Sequence, residues 1–308
     1  MHLRDDELVE LVRDLGLPAT TVLGSGIEGT VLDLADGSVL KVWSRRTGDE
    51  LQLLRGFYDS VAGAGLPFGV PQILEVRRVG GRYATVQVRL EGQPLWEQPG
   101  VSPPLDDEDA AAVITVLAAL AAVQSAPEMA VLPVLEGEAA FDPGTSFERS
   151  LADLVEARAL RHRGPLRARV RDLDHVVSVV THRLRHLPFA SPSLVHGDLV
   201  PGNILVSSGA PVGVLDFGFL STVGDPAFDA AVTASIYDMY GPDAARTESR
   251  LDEAVSGRFD YPRARLLLYR AAYALITANC FSASGSDGHF DWCVRMLERP
   301  EVREVLDS

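Results

Sequence analysis

LVHGDLVPGNILVSSGAPVGVLDFGFLSTVGDPAFD, residues Leu194 to Asp229, is the stretch on which the fold turns. Three polar groups stand out: Asp198, Asn203 five residues later, and Asp216 beyond a short predicted hairpin. Each follows or closes an apolar run, namely Ser193-Leu194-Val195, Ile204-Leu205-Val206 and Val212 to Leu215. Apolar runs of this length read as buried strands. A carboxylate or amide at the end of a buried strand is costly unless it has a partner or a task. Two carboxylates and one amide at such ends are the oxygen donors that a hard cation such as Mg²⁺ uses together with phosphate.

The spacing is that of a kinase catalytic loop: an Asp, an Asn five residues on, then Asp-Phe-Gly. Here the pieces are His196-Gly197-Asp198, Asn203 and Asp216-Phe217-Gly218. Asp, Gly and the Pro201-Gly202 pair are also ordinary turn residues, so each piece alone has a bland reading. Their recurrence in order, with a strand between them, favours the catalytic one.

Upstream lies Leu23-Gly24-Ser25-Gly26-Ile27-Glu28-Gly29-Thr30-Val31, a G-x-G-x-x-G followed by x-V. A dinucleotide-binding turn with the same glycines must open a helix. Here Thr30 to Ala35 is strand-like, Asp36-Gly37 is a hairpin turn, and Ser38 to Trp43 is a second strand. A glycine loop inside a β-hairpin is the arrangement in which backbone N–H groups cover nucleotide phosphates. The second strand carries Lys41, the only lysine in the chain; every other one of the 28 Lys and Arg residues is Arg. Lys is a compact point charge and Arg a broad fork, so a lysine kept here fits a confined phosphate contact. Residues 48–62 read as an amphipathic helix begun by Glu50, a candidate partner for Lys41. The same carboxylate would complement the helix dipole, and Glu75 is the alternative partner.

Gln72 to Val79 and Arg82 to Leu90 read as strands joined at Gly80-Gly81. Residues 5–15 read as a helix ended by Gly16 and Pro18. A Pro- and Gly-rich connection at 91–105 marks a change. Beyond it helices are expected over 106–126, 146–162, 165–187, 226–240, 243–256, 260–280 and 288–299. His175, His182 and His186 lie near helical spacing, but no HExxH or Cys partner accompanies them, and they read as solvated faces.

The 308 residues suffice for one large domain or two closely packed lobes, and 46% hydrophobic residues can form a sizeable core. A formal charge of −15 argues against a nucleic-acid partner, which calls for a basic face. It is compatible with a cationic substrate drawn to acidic clefts. Cys280 and Cys293 imply no disulfide framework. The start, MHLRDDELVELV, lacks the apolar core of a signal peptide. The longest apolar stretch, Ala110 to Val123, falls short of the roughly 20 residues that span a bilayer. A cytoplasmic protein with no membrane partner is expected.

Together, Gly24, Gly26 and Gly29, Lys41, Glu50, His196-Gly197-Asp198, Asn203, Asp216-Phe217-Gly218 and Gly224-Asp225-Pro226 resemble the aminoglycoside phosphotransferase family over roughly residues 20 to 280. These are small-molecule kinases with a protein-kinase-like fold. The resemblance implies an α+β, bilobal architecture: a small antiparallel-sheet N-lobe over residues 1–90 and a larger, mainly helical C-lobe over 91–308. It implies that Gly24, Ser25, Gly26, Ile27, Gly29, Lys41 and Glu50 serve the nucleotide, ATP or GTP, with a hinge at Val88 to Leu90 receiving the base. Asp198 would accept or orient the proton of a small-molecule hydroxyl, Asn203 and Asp216 would hold Mg²⁺, and His196 would orient the loop. A protein kinase fits less well, because Gly197 stands where Arg is usual and no A-P-E follows Asp216.

Asp225, before Pro226, reads as a helix cap or a substrate contact, and Asp229 is open in the same way. Other acids downstream, among them Asp238, Asp243, Asp252, Asp287 and Asp291, would suit a polycationic antibiotic or else solvated helix faces. Aromatics at Tyr237, Tyr240, Tyr269, Tyr273, Phe281, Phe290 and Trp292 would instead wall a site for a bulkier apolar ligand, so that a macrolide, a peptide antibiotic or a small amino alcohol stays open as the acceptor, with a non-catalytic nucleotide-binding module as the alternative of another class.

Overall fold

The computed structural model describes residues 12, 15–16, 21–26, 28–96 and 105–307. The helix expected over 5–15 falls almost wholly outside the described residues, as does Ile27.

The N-terminal part is a five-stranded antiparallel sheet with order β1-β2-β3-β5-β4. Its strands are β1 (Val22–Ser25), β2 (Gly29–Leu34), β3 (Ser38–Trp43), β4 (Ile73–Val79) and β5 (Arg82–Val88). The alternation of β2 puts Leu32 and Leu34 against Leu40, Val42, Val79 and Ala84 in a small core of their own. Helix α1 (Gly48–Ala62) lays Leu51, Leu54, Phe57, Tyr58 and Val61 into a second core continuous with the rest of the protein. Thr47 starts it with a capping box: its side chain accepts from Glu50 N–H, while the Glu50 carboxylate accepts from Thr47 N–H at 2.7 Å.

Beyond residue 90 the chain is mainly helical. The helices are α2 (Asp107–Ala121), α3 (Phe147–Arg161), α4 (Arg163–Arg169), α5 (Leu173–Arg185), α6 (Pro226–Ile236), α7 (Ala244–Arg258), α8 (Arg263–Thr277), α9 (Gly288–Glu298) and α10 (Pro300–Asp307). Helix α8 is buried without interruption from Leu266 to Thr277, so it has no solvent face and forms the axis of this part. The single helix expected over 165–187 is two. The chain breaks at Val170–Asp172, where Asp172 adopts φ 49°. The break is held from outside: Arg171 N–H donates to Glu298 at 2.7 Å and its carbonyl accepts from Arg303 at 2.8 Å.

Between α5 and α6 lie the short strands that carry the quoted stretch. They are β7 (Ser193–Val195), β8 (Ile204–Ser207), β9 (Ala210–Val214) and β10 (Thr222–Gly224). Strand β7 pairs with β10; β8 pairs with β9 and with β6 (Gln93–Pro94), which lies within the 91–105 connection. Ser208 (φ 50°) and Gly209 (φ 73°) turn the β8–β9 hairpin, both left-handed as the tightest hairpin turn requires. A backbone seam joins the two parts: Gly69 N–H donates to Val212 at 2.9 Å and Val214 N–H to Gly69 at 3.0 Å. Among the described residues no helix is long and apolar enough to cross a membrane.

Candidate active site

The loop after β7 is fastened through the backbone groups of His196, Gly197 and Asp198. Asp229, on the first turns of α6, accepts His196 N–H at 2.7 Å and Gly197 N–H at 2.8 Å. The His196 carbonyl accepts from Ser221 Oγ at 2.6 Å, which in turn accepts Gly218 N–H at 2.7 Å. The His196 ring spans the loop. Its Nε2 lies 2.8 Å from the Leu215 carbonyl and its Nδ1 accepts Asp198 N–H at 3.2 Å. A carbonyl can only accept, so the ring is the neutral tautomer with hydrogen on Nε2. Burial keeps it so, lowering its pKa to about 4. Gly197 has φ 85°, and a Cβ there would collide with the Phe219 carbonyl, so no side chain fits between His196 and Asp198.

This frame presents Asp198. Burial first, then the charges of Asp216 and Glu28, raise its pKa to about 7. Asn203 closes a 3₁₀ turn and donates from its amide nitrogen to the Asp198 carbonyl at 2.9 Å, which leaves the amide oxygen as its free donor atom. The hairpin register sets Asn203 beside the second aspartate: Ile204 opposes Val214, and Leu215 N–H donates to the Asn203 carbonyl at 2.8 Å. Asp216 follows directly, in a left-handed conformation (φ 55°) that a non-glycine residue holds only when its surroundings insist.

Lys41 reaches this group from β3. Its Nζ donates to Asp216 Oδ1 at 2.8 Å and to Glu28 Oε2 at 3.0 Å, and lies 4.2 Å from the centre of the Trp43 ring. Burial alone would lower its pKa, but the Asp216 and Glu28 carboxylates outweigh that and raise it. The Lys41 charge likewise holds Asp216 below the usual carboxylate range, against its desolvation. The expected partners of Lys41 need correction. Glu50 is spent on the capping box, and Glu75 pairs on the surface with Arg77 at 2.7 Å. Glu28, inside the glycine loop, takes the place. The β2–β3 register accounts for it: Gly29 opposes Trp43 and Ser44 N–H donates to the Glu28 carbonyl at 2.8 Å, so the loop's one carboxylate hangs over the end of the lysine strand.

Gly26 and Gly29 bond to each other, N–H to carbonyl in both directions, at 2.9 and 3.3 Å. A Cβ on Gly29 would strike the Val42 carbonyl, whereas Gly24 and Gly26 face open space, with Ser25 between them bonded to Thr30 at 3.2 Å. At the expected hinge, Val88 N–H already donates to the Gln72 carbonyl at 3.0 Å, and the Leu90 side chain fills the seam over Gly69 and Gly213. Two residues weighed for substrate contact are turned inward instead. Asp225 caps α6 through Ala227 N–H, accepts from the Tyr269 hydroxyl at 2.7 Å and pairs with Arg265 at 3.3 Å; Asp229 holds the loop. Asp252 pairs with Arg270, and Asp291 with Arg169 at 3.0 Å.

Tyr240 and Tyr273 are both close enough for the Asp198 charge to add to burial in raising their phenols, Tyr240 to about 12. The Tyr240 hydroxyl meets His289 Nδ1 at 3.1 Å, and the exposed Phe281 ring stands edge-on to His289. Asp287 caps α9, and its second oxygen is buried with no hydrogen-bond partner among the described residues.

Among the described residues no group of three or more His, Cys, Asp or Glu could hold a metal unaided. The Asp216 carboxylate and the Asn203 amide oxygen are hard donors that fit Mg²⁺ when phosphate oxygens and water complete its shell.

The model of the phosphotransferase enzyme family matches residues 20–267. Among solved structures, the chain resembles a thermostable mutant of aminoglycoside phosphotransferase APH(4)-Ia in ternary complex with AMP-PNP and hygromycin B. The two are 19% identical, with a TM-score of 0.65 over 99% of this chain and 98% of that one. It also resembles macrolide 2'-phosphotransferase MphH from Brachybacterium faecium, 19% identical, with a TM-score of 0.60 over 96% of this chain and 99% of that one. The kanamycin and GDP complex of APH(2")-IIia is 20% identical, with a TM-score of 0.61 over 97% of each chain. No curated protein sequence matches this chain.

Proposed function

Since the chain belongs to the phosphotransferase enzyme family, we propose that it moves the γ-phosphoryl group of ATP or GTP to a hydroxyl of a small molecule. One observation carries the reading. Lys41 and Asp216, 175 residues apart, meet at 2.8 Å across the seam between the two parts, with Asp198 beside them. Phosphoryl transfer needs positioning and charge neutralisation more than covalent help. Lys41 supplies a fixed positive charge for the α- and β-phosphates beneath the glycine loop. Asp198, with a pKa near the working pH, takes the proton of the attacking hydroxyl. Asn203 and Asp216 hold Mg²⁺, which when bound neutralises the phosphate oxygens. Calorimetry with ATP and GTP in the presence of Mg²⁺ tests this, and absence of binding by either would sink it.

The acceptor is read as an aminoglycoside-like polyamine. Relatives bound to hygromycin B and kanamycin support this, as does the unpartnered oxygen of Asp287 on the Asp198 side. A macrolide-like acceptor is the second reading, favoured by the Tyr240 and Tyr273 wall and by the number of acids already engaged inside the protein. Turnover of an acceptor panel at two salt concentrations separates them. A polyamine's KM rises as salt shortens the Debye length from about 10 Å at 0.1 M, and an uncharged macrolide's does not.

A further inference from the structure

Two cations stand at the phosphate end of the site. Arg46, just past β3, turns back beneath the glycine loop and donates from Nη2 to Glu28 Oε1 at 2.9 Å. Its guanidinium carbon lies 5.6 Å from the centre of the Trp43 ring. The same Nη2 is 3.0 Å from where a Cβ would project from Gly218, so the glycine after Phe217 is what admits it. Its side chain is 18% exposed, whereas that of Arg45 is 73% exposed and reaches outward to Glu136. Among the described residues Glu28 is the only ion-pair partner of Arg46. The Glu28 carboxylate is therefore divided, Oε1 to Arg46 and Oε2 to Lys41. Two oxygens on one anionic centre, one held by a guanidinium and the other by an ammonium, are the pattern a phosphate group presents.

We infer that Arg46 is a second phosphate-binding cation and that Glu28 holds its place, giving way when the nucleotide's phosphates enter. The inference rests on the nucleotide reading above. With Glu28 in position, an incoming triphosphate meets two cations already neutralised and two carboxylates, Glu28 and Asp216, of its own sign. Displacing Glu28 frees Arg46, leaves Lys41 with Asp216 as its one carboxylate partner, and removes one repulsion. The carboxylate has somewhere to go: its side chain is 40% exposed and rides on the glycine loop. Arg46 then binds the phosphates as a fork while Lys41 binds them as a point charge.

The test is metal-free calorimetry of ATP, adenosine and inorganic tripolyphosphate on the parent, Glu28→Gln and Arg46→Gln proteins. Arg46→Gln should weaken ATP and tripolyphosphate about tenfold, the worth of one charge-assisted hydrogen bond, and leave adenosine unchanged. Glu28→Gln should tighten both by roughly threefold, because a partly solvated carboxylate no longer competes for the two cations. Arg46→Gln binding tripolyphosphate as the parent does, or Glu28→Gln binding it more weakly, overturns the inference while the nucleotide reading stands. A parent that binds neither ATP nor tripolyphosphate without metal overturns the inference, and one that also binds neither ATP nor GTP with Mg²⁺ overturns both. Should a variant fail to fold, phenylglyoxal modification of the parent decides: tripolyphosphate must protect the Arg46 peptide, and no protection counts against the role.

Discussion

Asp198 and Asp216 are both aspartates at strand ends, yet their surroundings drive them apart. Asp198 is raised to about 7 by burial and by its neighbours' charges, whereas Asp216 is held low by Lys41. Pairs split in this way mark a base and a charge-holding group. The base works ionised and its pKa is raised, so kcat/KM should climb through about pH 7 and flatten above it. A pH–rate profile whose acid limb lies near 4, the ordinary carboxylate range, would assign the limb to another group. Asp198→Ala should bind Mg-nucleotide like the parent and lose most turnover, and Asp216→Ala should lose the metal-dependent part of binding as well. Titration calorimetry with and without Mg²⁺ checks both, and parent-like binding by the two variants alike reverses the roles. Lys41→Arg keeps the charge but brings a fork into a space shaped for a point, and nucleotide affinity should drop at least about tenfold. At this scale the convergence of Asp198, Asn203, Asp216 and Lys41 is legible in the sequence, because each sits at a fixed spacing within a local pattern; their roles are those proposed above. The partner of Lys41 is not legible in this way. Glu28 reaches it through the register of two strands and the position of a loop, which chain order alone does not order by distance.

Elements supply what the residues stand on. Helix α6 does more than pack: Asp229 on it accepts the His196 and Gly197 N–H groups of the loop that carries Asp198. Asp229→Asn retains one acceptor and turns an amide N–H toward a backbone N–H. It should cut kcat about tenfold or more while the nucleotide Kd stays put, since the loop rather than the nucleotide pocket loses its clamp. A loss confined to nucleotide binding would contradict this. On α8, Arg270 is buried among Glu248, Asp252 and the Ala231 carbonyl. Removing Arg270 leaves the Ala231 carbonyl without its donor, while Glu248 keeps Arg299 at 2.6 Å and Asp252 is partly solvated, so Arg270→Ala should cost about 2–3 kcal/mol, read from denaturant unfolding. Element positions followed well from apolar period and caps, as the observed Ser38–Trp43 and Gly48–Ala62 show. The break between α4 and α5 escaped because its backbone groups are satisfied by Glu298 and Arg303, more than a hundred residues away. The same distance hid the inward role of Asp225, whose partners Tyr269 and Arg265 lie on α8.

For the whole molecule, the β8–β9 hairpin matters beyond its size. It carries Asn203 at one end and delivers Asp216 at the other, and its outer strand is bonded to Gly69. The β8–β9 hairpin is thus tied to the N-terminal part by backbone bonds that do not involve Lys41. Lys41→Met should therefore abolish nucleotide binding yet keep a single cooperative melting transition, whereas two separate transitions would show that the ion pair alone couples the parts. The lone lysine has a further consequence, for reagents rather than substrates. Apart from its amino terminus, the protein offers acylating chemistry a single side-chain amine, and that amine is held as unreactive ammonium by two carboxylates. The number of acyl groups added per chain at mildly alkaline pH, counted by mass, becomes a direct gauge of whether the loop carboxylate is seated over Lys41 or has swung away.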